Sequence, residues 1–127
     1  MKLDLIQTEN APAAVGPYSQ GVRVHELVFT SGQLPFVPGT GELISDDIQK
    51  ATRQALDNVK AVLEAGGATL ETVIKVTVFV KDMENFSLIN EVYAEYFKNH
   101  KPARSLVEVA RLPKDGVIEI EAIAIKK

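Results

Sequence analysis

The chain has 127 residues, of which 46% are hydrophobic and 24% charged, a balance typical of one globular domain over residues 1–127. It contains no cysteine, which excludes disulfides, thiolate nucleophiles and thiolate-bound metals, and its two histidines argue against a multi-histidine metal site. With 14 basic and 17 acidic residues, the net charge is −3, which argues against non-specific nucleic-acid binding, since such binding usually needs a basic face.

The first third of the sequence predicts three short strands separated by irregular connections. The strands cover residues 3–7, 21–26 and 27–31, and the last two meet near a His-Glu turn. Residues 10–17 and 33–42 each contain two prolines and at least one glycine, so both predict loops.

A long helix is predicted next. We expect it to begin at Asp46, because an aspartate followed three residues later by Gln49 is typical of a capped N-terminus. Apolar and small residues then recur at three- and four-residue steps and form one stripe, made of Ile48, Thr52, Ala55, Val59, Val62 and Leu63. Gly66 and Gly67 are expected to end the helix, because both accept a left-handed backbone.

The second half of the chain predicts a strand, a helix and two further strands. Residues 72–80 are rich in β-branched side chains, which favours a buried strand. Asp82 can cap a second helix that ends before Pro102 and whose apolar stripe is Phe86, Ile89, Tyr93 and Tyr96 or Phe97. Residues 105–110 and 117–125 predict strands, joined by a turn over residues 112–116.

The resulting order, β-β-β-α-β-α-β-β, predicts an α+β domain of two layers, with two helices on one face of a mixed sheet. Strand 72–80 is expected to bury one apolar side, made of Ile74, Val76, Val78 and Val80. The other side of this strand, and the side of the last strand that carries Glu119 and Glu121, mix apolar with charged residues. A solvated face would be more uniformly polar, so these mixed sides predict a subunit interface that contains a few buried charges.

Three charged residues are candidates for chemistry. Arg104, at the entry of a strand, could clamp a carboxylate or phosphate through two parallel hydrogen bonds, or it could be a surface arginine in a weak ion pair. Glu119 and Glu121 project from one face of the last strand and could perform acid–base work. Alternatively, they could belong to a solvated face or pair with Lys75 or Arg104.

Four uncharged residues are weaker candidates. Tyr18 could stack on a planar ligand or be a half-buried packing residue. Ser31 and Gly32 could present a hydroxyl and an amide to an oxygen anion, or form an ordinary turn. Asn90 is either a ligand contact or a solvent-facing helix residue, and periodicity favours the latter. No nucleophilic triad, P-loop, dinucleotide fingerprint or metal motif is present in the sequence, and both histidines are interpreted as structural or solvated.

Several segments together resemble the RidA/YjgF family, and more closely its RidA subgroup, the 2-iminobutanoate/2-iminopropanoate deaminases. The similarity covers nearly the whole chain and rests on Gly-Pro-Tyr-Ser-Gln at 16–20, Thr-Ser-Gly-Gln at 30–33, Asp-Asn-Val-Lys at 57–60, Thr-Val-Phe-Val-Lys-Asp at 77–82, Pro-Ala-Arg-Ser at 102–105, Val-Glu-Val-Ala-Arg-Leu-Pro at 107–113 and Ile-Glu-Ile-Glu-Ala at 118–122. The resemblance implies a chorismate-mutase-like α+β fold and a homotrimer with three sites in the clefts between subunits. It also implies that the protein uses no cofactor and no metal.

The resemblance further implies a role for each candidate. Arg104 would bind the substrate carboxylate and Glu119 would hold or activate the attacking water, the two facing one crevice from adjacent strands. The cleft would be completed by Tyr18 from the neighbouring subunit, by Ser31 and Gly32 as ligand contacts, and by Asn90 at its border. Leu106 departs from the subgroup, which often has Cys, Thr or another small residue there, so the pocket would be narrower or more apolar.

The implied function is hydrolysis of reactive 2-imino acids, by-products of pyridoxal-phosphate enzymes, to 2-oxo acids and ammonia. Two alternatives come from other classes: a non-catalytic module that binds small carboxylates or acts as a chaperone, and a ribonuclease or translation inhibitor. The net charge of −3 and the lack of a histidine pair argue against the ribonuclease. The absence of cysteine fits a reducing cytoplasm, and the sequence has no secretory signal and no apolar run of about 20 residues, so we expect a cytoplasmic protein that contacts no membrane. The net charge of −3 predicts that it has no nucleic-acid partner.

Overall fold

The computed structural model describes residues 2–127, in which six strands form one open mixed sheet with two α-helices on one face. The elements in chain order are β1 (Leu3–Ile6), β2 (Gly21–Val24), β3 (Leu27–Thr30), α1 (Ile48–Ala65), β4 (Val73–Val80), α2 (Phe86–Tyr96), β5 (Ala103–Glu108) and β6 (Ile118–Ile125). Across the sheet the strands lie in the order β1-β2-β3-β6-β4-β5. The β4–β5 pair is parallel and every other neighbouring pair is antiparallel. The predicted α+β architecture and order of elements are confirmed.

The first helix begins one residue later than the sequence predicts. Its N-cap is Asp47, whose Oδ1 accepts hydrogen bonds from the backbone N–H groups of Gln49 (3.0 Å) and Lys50 (3.1 Å). The prediction of Asp46 as the cap is therefore wrong. Asp47 is the residue with extended backbone angles, and its carboxylate reaches the second and third helical amides, which have no partner within the helix.

The second helix is preceded by a short 3₁₀ turn, Met83–Asn85. Asp82 caps this turn and not, as the sequence predicts, the α-helix, with its side chain accepting a hydrogen bond from the Glu84 N–H at 2.9 Å; the N-cap of the α-helix is Asn85. The α-helix proper then starts at Phe86 and buries Ile89 and Val92. The first residue of the predicted stripe, Phe86, is instead 42% exposed.

The core lies between the two helices and the inner face of the sheet. On β6, Ile118, Ile120, Ala122 and Ala124 are all buried and contact this core, as the period-2 pattern predicts. On β4 the prediction was wrong for Ile74, which is 43% exposed, while Val73 is fully buried. The register with β6 shifts between Val73 and Lys75, so this irregularity moves Ile74 to the outer side.

The outer face of the sheet is uncovered in the single chain and carries many apolar side chains. Its strands at the β1 side expose Leu3, Leu5, Leu27 and Ile125 by a third to two thirds of their surface, and β5 exposes Val107. An exposed apolar area of this extent is typical of a surface that contacts another molecule. Within residues 2–127, no helix is long and apolar enough to cross a bilayer.

A buried asparagine on α1 fixes the loop between β3 and α1. The Asn58 side chain is 1% exposed, and its Nδ2 donates hydrogen bonds to the carbonyl oxygens of Leu34 (3.0 Å) and Phe36 (2.9 Å). Its Oδ1 accepts one from Gln54 at 2.9 Å. A residue without an amide there would leave two loop carbonyls without these donors.

We therefore predict that Asn58→Ala lowers the free energy of unfolding by about 1–3 kcal/mol, the usual cost of leaving buried polar groups unpaired. The urea midpoint of the purified variant measures this change. Lys60→Ala, on the exposed side of the same helix, is the matched control and should change stability by less than about 0.5 kcal/mol. Equal midpoints for the two variants would contradict this role of Asn58.

Candidate active site

The candidate arginine lies inside β5, which begins two residues earlier than the sequence predicts. Arg104 is in register with Val76 of β4, a core residue, so its side chain points to the helix layer. There its Nη1 donates a hydrogen bond to Oδ1 of Asn90 on α2 at 2.8 Å. Its Cζ lies over two aromatic rings of the same helix, 4.6 Å from the centroid of Tyr93 and 5.9 Å from that of Phe86. These four residues are called the arginine cluster.

The guanidinium of Arg104 is half-buried and has no acidic partner within this chain. The ion pairs within 4.0 Å among residues 2–127 involve Lys2, Arg23, Arg53 and Arg111, but not Arg104. The surface ion pair that was the alternative for this residue is therefore not observed. A guanidinium has five N–H donors, of which one here donates to Asn90, so two adjacent N–H groups can donate to the two oxygens of a ligand carboxylate.

The candidate glutamate faces the opposite side of the sheet. Glu119 of β6 is in register with Phe79 of β4 and alternates with the buried Ile118 and Ile120, so it projects from the outer face. Burial, and to a smaller extent the neighbouring Glu121, raise the pKa of Glu119 above its ordinary value of 4.5. A carboxyl group with a raised pKa is suited to both taking and giving a proton.

A backbone bridge brings the Ser31–Gly32 turn against Glu119. Gln33 and Ile120 exchange N–H to carbonyl hydrogen bonds of 2.7 and 3.0 Å, which align the turn beside β6. A Cβ on Gly32 would lie 2.6 Å from Oε2 of Glu119, so any other residue would have to displace the carboxylate. The Ser31 hydroxyl donates to the carbonyl of Ser19 at 2.6 Å.

Tyr18 stands close to this turn. Its ring is 53% exposed, and its hydroxyl accepts a hydrogen bond of 3.4 Å from the backbone of Val15. Tyr18 and Gly32 line one open groove of about 820 Å³, whose other walls are mainly apolar loop residues such as Leu34, Phe36 and Val37. Glu119, Gly32, Ser31 and Tyr18 are called the glutamate cluster.

A single chain does not bring the two clusters together. The sequence predicts that Arg104 and Glu119 come from adjacent strands and face one crevice where chains meet. β4 lies between β5 and β6, so the prediction of adjacent strands is wrong, and within one chain the two side chains point to opposite faces of the sheet. A shared crevice between chains stays a prediction.

Lys75 and Leu106 are two further residues for which the sequence gives an expectation. Lys75 donates a hydrogen bond to Ser105 at 2.9 Å, and no ion pair within 4.0 Å joins it to Glu119 or Glu121 in residues 2–127. Leu106 is in register with the buried Val78 and packs against the core, so it lies on the same side of β5 as Arg104. The apolar departure from the subgroup pattern is thus next to the arginine cluster.

The two histidines lie apart from both clusters. His25 is exposed in the β2–β3 turn, and the ring of His100 contacts the backbone carbonyl of Val73, in agreement with a structural or solvated role. In the part of the chain that the structure describes, no group of three or more His, Asp or Glu side chains is placed to hold a metal ion.

Two members of the arginine cluster are not among the site residues that the sequence predicts. Phe86 and Tyr93 are predicted in the apolar stripe of α2, whereas the guanidinium of Arg104 lies over both rings. For Tyr93, the signal that could have indicated this contact is its spacing of three residues from Asn90, which places both on one side of the helix.

Comparison with known proteins places this chain in a family. The family model described as Endoribonuclease L-PSP matches residues 8–126. A RutC family protein of Pyrococcus horikoshii is 57% identical over 124 residues, with 98% of each chain covered. The 2-iminobutanoate/2-iminopropanoate deaminase of Escherichia coli K12 is 54% identical over 125 residues, which cover 96% of this chain and 97% of that protein.

Solved structures give the same result. The structure of E. coli TdcF with bound serine matches with a TM-score of 0.93 and 50% identity, and the match covers 98% of this chain and 99% of that one. The YjgF gene product of E. coli matches with a TM-score of 0.93 and 53% identity over the same shares. The chain belongs to the Endoribonuclease L-PSP family, which is also called the RidA/YjgF family, and the predicted family is confirmed.

The raised pKa of Glu119 predicts a pH-dependent cost to stability. Above this pKa the folded state holds a charged, half-buried carboxylate beside Glu121, whereas below the pKa of the unfolded chain the group is neutral in both states. Its effect therefore favours folding at low pH and is lost as the pH rises through the folded-state pKa. Glu119→Gln should raise the Tm by a few degrees at pH 7.5 and by less at pH 4.

Thermal unfolding of the wild type and the variant at both pH values measures this difference. Glu9→Gln removes the same charge from an exposed position and is the matched control, expected to leave the Tm nearly unchanged. A lower Tm for Glu119→Gln at pH 7.5 would mean that the carboxylate stabilises the fold, and would contradict the assignment.

Proposed function

We propose that this protein is a cofactor-independent deaminase that hydrolyses 2-iminobutanoate and 2-iminopropanoate to 2-oxo acids and ammonia in the cytoplasm. The predicted deaminase activity is confirmed by the E. coli relative of that name, which is 54% identical over nearly the whole chain. The single observation that carries the proposal is the half-buried Arg104, which is held at 2.8 Å by a neutral amide and has no acidic partner among residues 2–127. Such a guanidinium is suited to a small carboxylate.

The substrate carboxylate would bind to the free N–H groups of Arg104, which places the C=N bond in a fixed orientation. Relatives support a ligand of this kind, since TdcF has been solved with bound serine, a small amino acid that carries a carboxylate. Asn90, predicted as a border of the pocket, would act by holding Nη1 in place and could offer its own amide N–H groups to the ligand.

Glu119 would act as the acid–base group for the attacking water. A water molecule adds to the imine carbon, the C–O bond forms, and the π electrons of the C=N bond move to nitrogen. Glu119 takes one proton from the water oxygen and gives it to nitrogen, which forms the neutral carbinolamine. It then carries the remaining hydroxyl proton to the same nitrogen, so that the C–N bond breaks, ammonia leaves with the bonding electrons, and the C=O bond forms. The raised pKa of Glu119 supports both halves of this proton transfer.

The Gly32 backbone and the Tyr18 ring would shape the cavity around this water. Gly32 leaves the space that the Glu119 carboxylate occupies, because a Cβ would lie 2.6 Å from Oε2. The Ser31 hydroxyl donates a hydrogen bond to the carbonyl of Ser19, so its oxygen is free to accept a hydrogen bond from a ligand N–H. The groove beside them is largely apolar and suits a short aliphatic substrate side chain.

We further propose that the enzyme is a homotrimer and that each site lies between two copies. Arg104 and Glu119 point to opposite faces of one sheet, so a site that uses both needs one residue from each of two chains. The apolar outer face supports this assembly, since residues such as Leu3, Leu5 and Val107 are exposed in one copy and would be covered by another.

Ribonuclease activity, which the family description names, finds less support in this chain. Its net charge is −3, and its two histidines lie at an exposed turn and against a backbone carbonyl rather than together. A non-catalytic carboxylate-binding module would use the same Arg104, and the two can be separated by measuring rate as well as binding.

The test of the function is Arg104→Ala. We expect it to slow imine hydrolysis by about 100-fold, because a bidentate, charge-assisted contact to the substrate is lost. A threonine dehydratase supplies 2-iminobutanoate, and semicarbazide traps whatever imine remains. Arg53→Ala, which removes an arginine paired with Glu95 on the helix surface, is the control and should keep full activity.

Unchanged hydrolysis by folded Arg104→Ala would refute the role of this residue. A wild-type protein that binds 2-oxobutanoate but does not lower the amount of trapped imine would instead be a binding module.

The test of the shared site is complementation between two inactive variants. Arg104→Ala and Glu119→Gln each lose one half of every site, but a mixed trimer contains some sites with both halves intact. With random assembly of an equal mixture, the chain that supplies position 104 keeps its arginine in about half of the sites, and the neighbouring chain keeps Glu119 in about half. About one quarter of the sites therefore contain both groups. Unfolding and refolding an equal mixture should therefore restore up to about a quarter of wild-type activity, whereas either variant alone should restore none.

If both groups acted from the same chain, the mixture would stay inactive. Mass measurement of the refolded mixture checks that mixed oligomers have formed.

A further inference from the structure

The guanidinium of Arg104 is compensated in an unusual way for a half-buried charge. Its one hydrogen bond within the described residues goes to the neutral amide of Asn90, and its Cζ lies over the ring of Tyr93, 4.6 Å from the centroid. A cation within about 6 Å of an aromatic face is attracted by the ring quadrupole. Neither partner carries a negative charge, so the positive charge of the guanidinium is not neutralised by these contacts.

The contact with an aromatic ring has a further consequence for binding. The face of a ring carries no oxygen or nitrogen acceptor, so it gives the N–H groups of the guanidinium no carboxylate partner. An aspartate or glutamate partner would instead bind the N–H groups that a ligand carboxylate needs. Asn90 accepts a hydrogen bond from one N–H group and Tyr93 contacts the guanidinium through its ring, so together they restrict rotation while the other N–H groups stay available.

Tyr93 contacts its neighbours through its ring and not through its hydroxyl. The hydroxyl is buried and has no hydrogen-bond partner in residues 2–127. The ring packs against Phe97, with centroids 4.8 Å apart, and against the core. Burial raises the pKa of Tyr93 more than Arg104 lowers it, so the phenol stays neutral and cannot act as an anionic partner for the guanidinium.

We propose that Tyr93 is a positioning residue for the substrate carboxylate: its aromatic face holds the Arg104 guanidinium in the binding orientation and leaves the other N–H groups for the ligand. The inference rests on the proposed function, because it assigns the carboxylate to Arg104. Tyr93 does not touch the substrate itself, so its effect is expected in affinity and KM rather than in kcat.

The first test compares two substitutions at this position. Tyr93→Leu keeps an apolar side chain but removes the ring, and should weaken binding of 2-oxobutanoate, the reaction product, by about 5- to 30-fold. It should raise the KM for 2-iminobutanoate by a similar factor and leave kcat within about twofold. Tyr93→Phe keeps the ring and removes a hydroxyl without partners, so it should bind and react as the wild type does.

The second test separates a role of the ring electrons from a role in packing. Position 93 is filled in turn with phenylalanine and with mono-, di- and trifluorophenylalanine, which weaken the ring quadrupole stepwise and change the volume little. The affinity for 2-oxobutanoate, measured by calorimetry, should fall with each fluorine while the Tm stays nearly constant. A flat series, or a loss for Tyr93→Phe as large as that for Tyr93→Leu, would overturn the inference.

Failure of the proposed function would be seen elsewhere. It would appear as a wild-type protein that does not hydrolyse the imine, whereas the Tyr93 inference depends on binding of 2-oxobutanoate and does not require catalysis. A wild-type protein that neither binds 2-oxobutanoate nor hydrolyses the imine would overturn both.

Discussion

The alternation of side chains along a β-strand is the constraint on which the rest of this structure depends. Because successive residues point to opposite faces, the register of β5 directs Arg104 to the helices and that of β6 directs Glu119 away from them. Each group has contacts of its own: the guanidinium packs against α2, and the carboxylate packs against the turn at Gly32. One chain does not direct both groups at one ligand, and the outer face of its sheet is apolar and uncovered.

The two clusters share a second property, because each contains a charged group whose partial burial lowers the stability of the isolated chain. Arg104 is half-buried without an acid, and the pKa of Glu119 is raised by burial beside another glutamate. A chain selected for stability alone would have paired or removed these charges. Departures from local rules of this kind are expected at functional sites, where the missing partner is the ligand.

Much of the fold follows from periodicity, and the errors have physical causes. The order of strands and helices and the buried side of β6 follow from periods of 2 and 3.6, which report burial directly. Ile74 was misplaced because the irregularity next to it shifts the register, and the strand pattern carries no signal for that shift. The opposite orientation of Arg104 and Glu119 depends on β4 lying between their strands, and this is a long-range pairing that local sequence does not contain. The contact of Tyr93 could not be predicted for a related reason. Helical periodicity identifies the residues that face the core, but not which charged group they contact.

In the proposed assembly, a site divided between two copies would make assembly part of catalysis. The arginine cluster would fix the ligand, the glutamate cluster would supply the proton transfer, and neither would be complete until the apolar face of one copy was covered by the next. Burial of that face would provide the driving force for association, since removing apolar surface from water contributes about 25 cal/mol per Å². The same step would lower the exposure of the charges in both clusters, so their interaction with a bound carboxylate and water would become stronger than on an open surface. Association would therefore both build the site and strengthen the electrostatic interactions on which its chemistry depends.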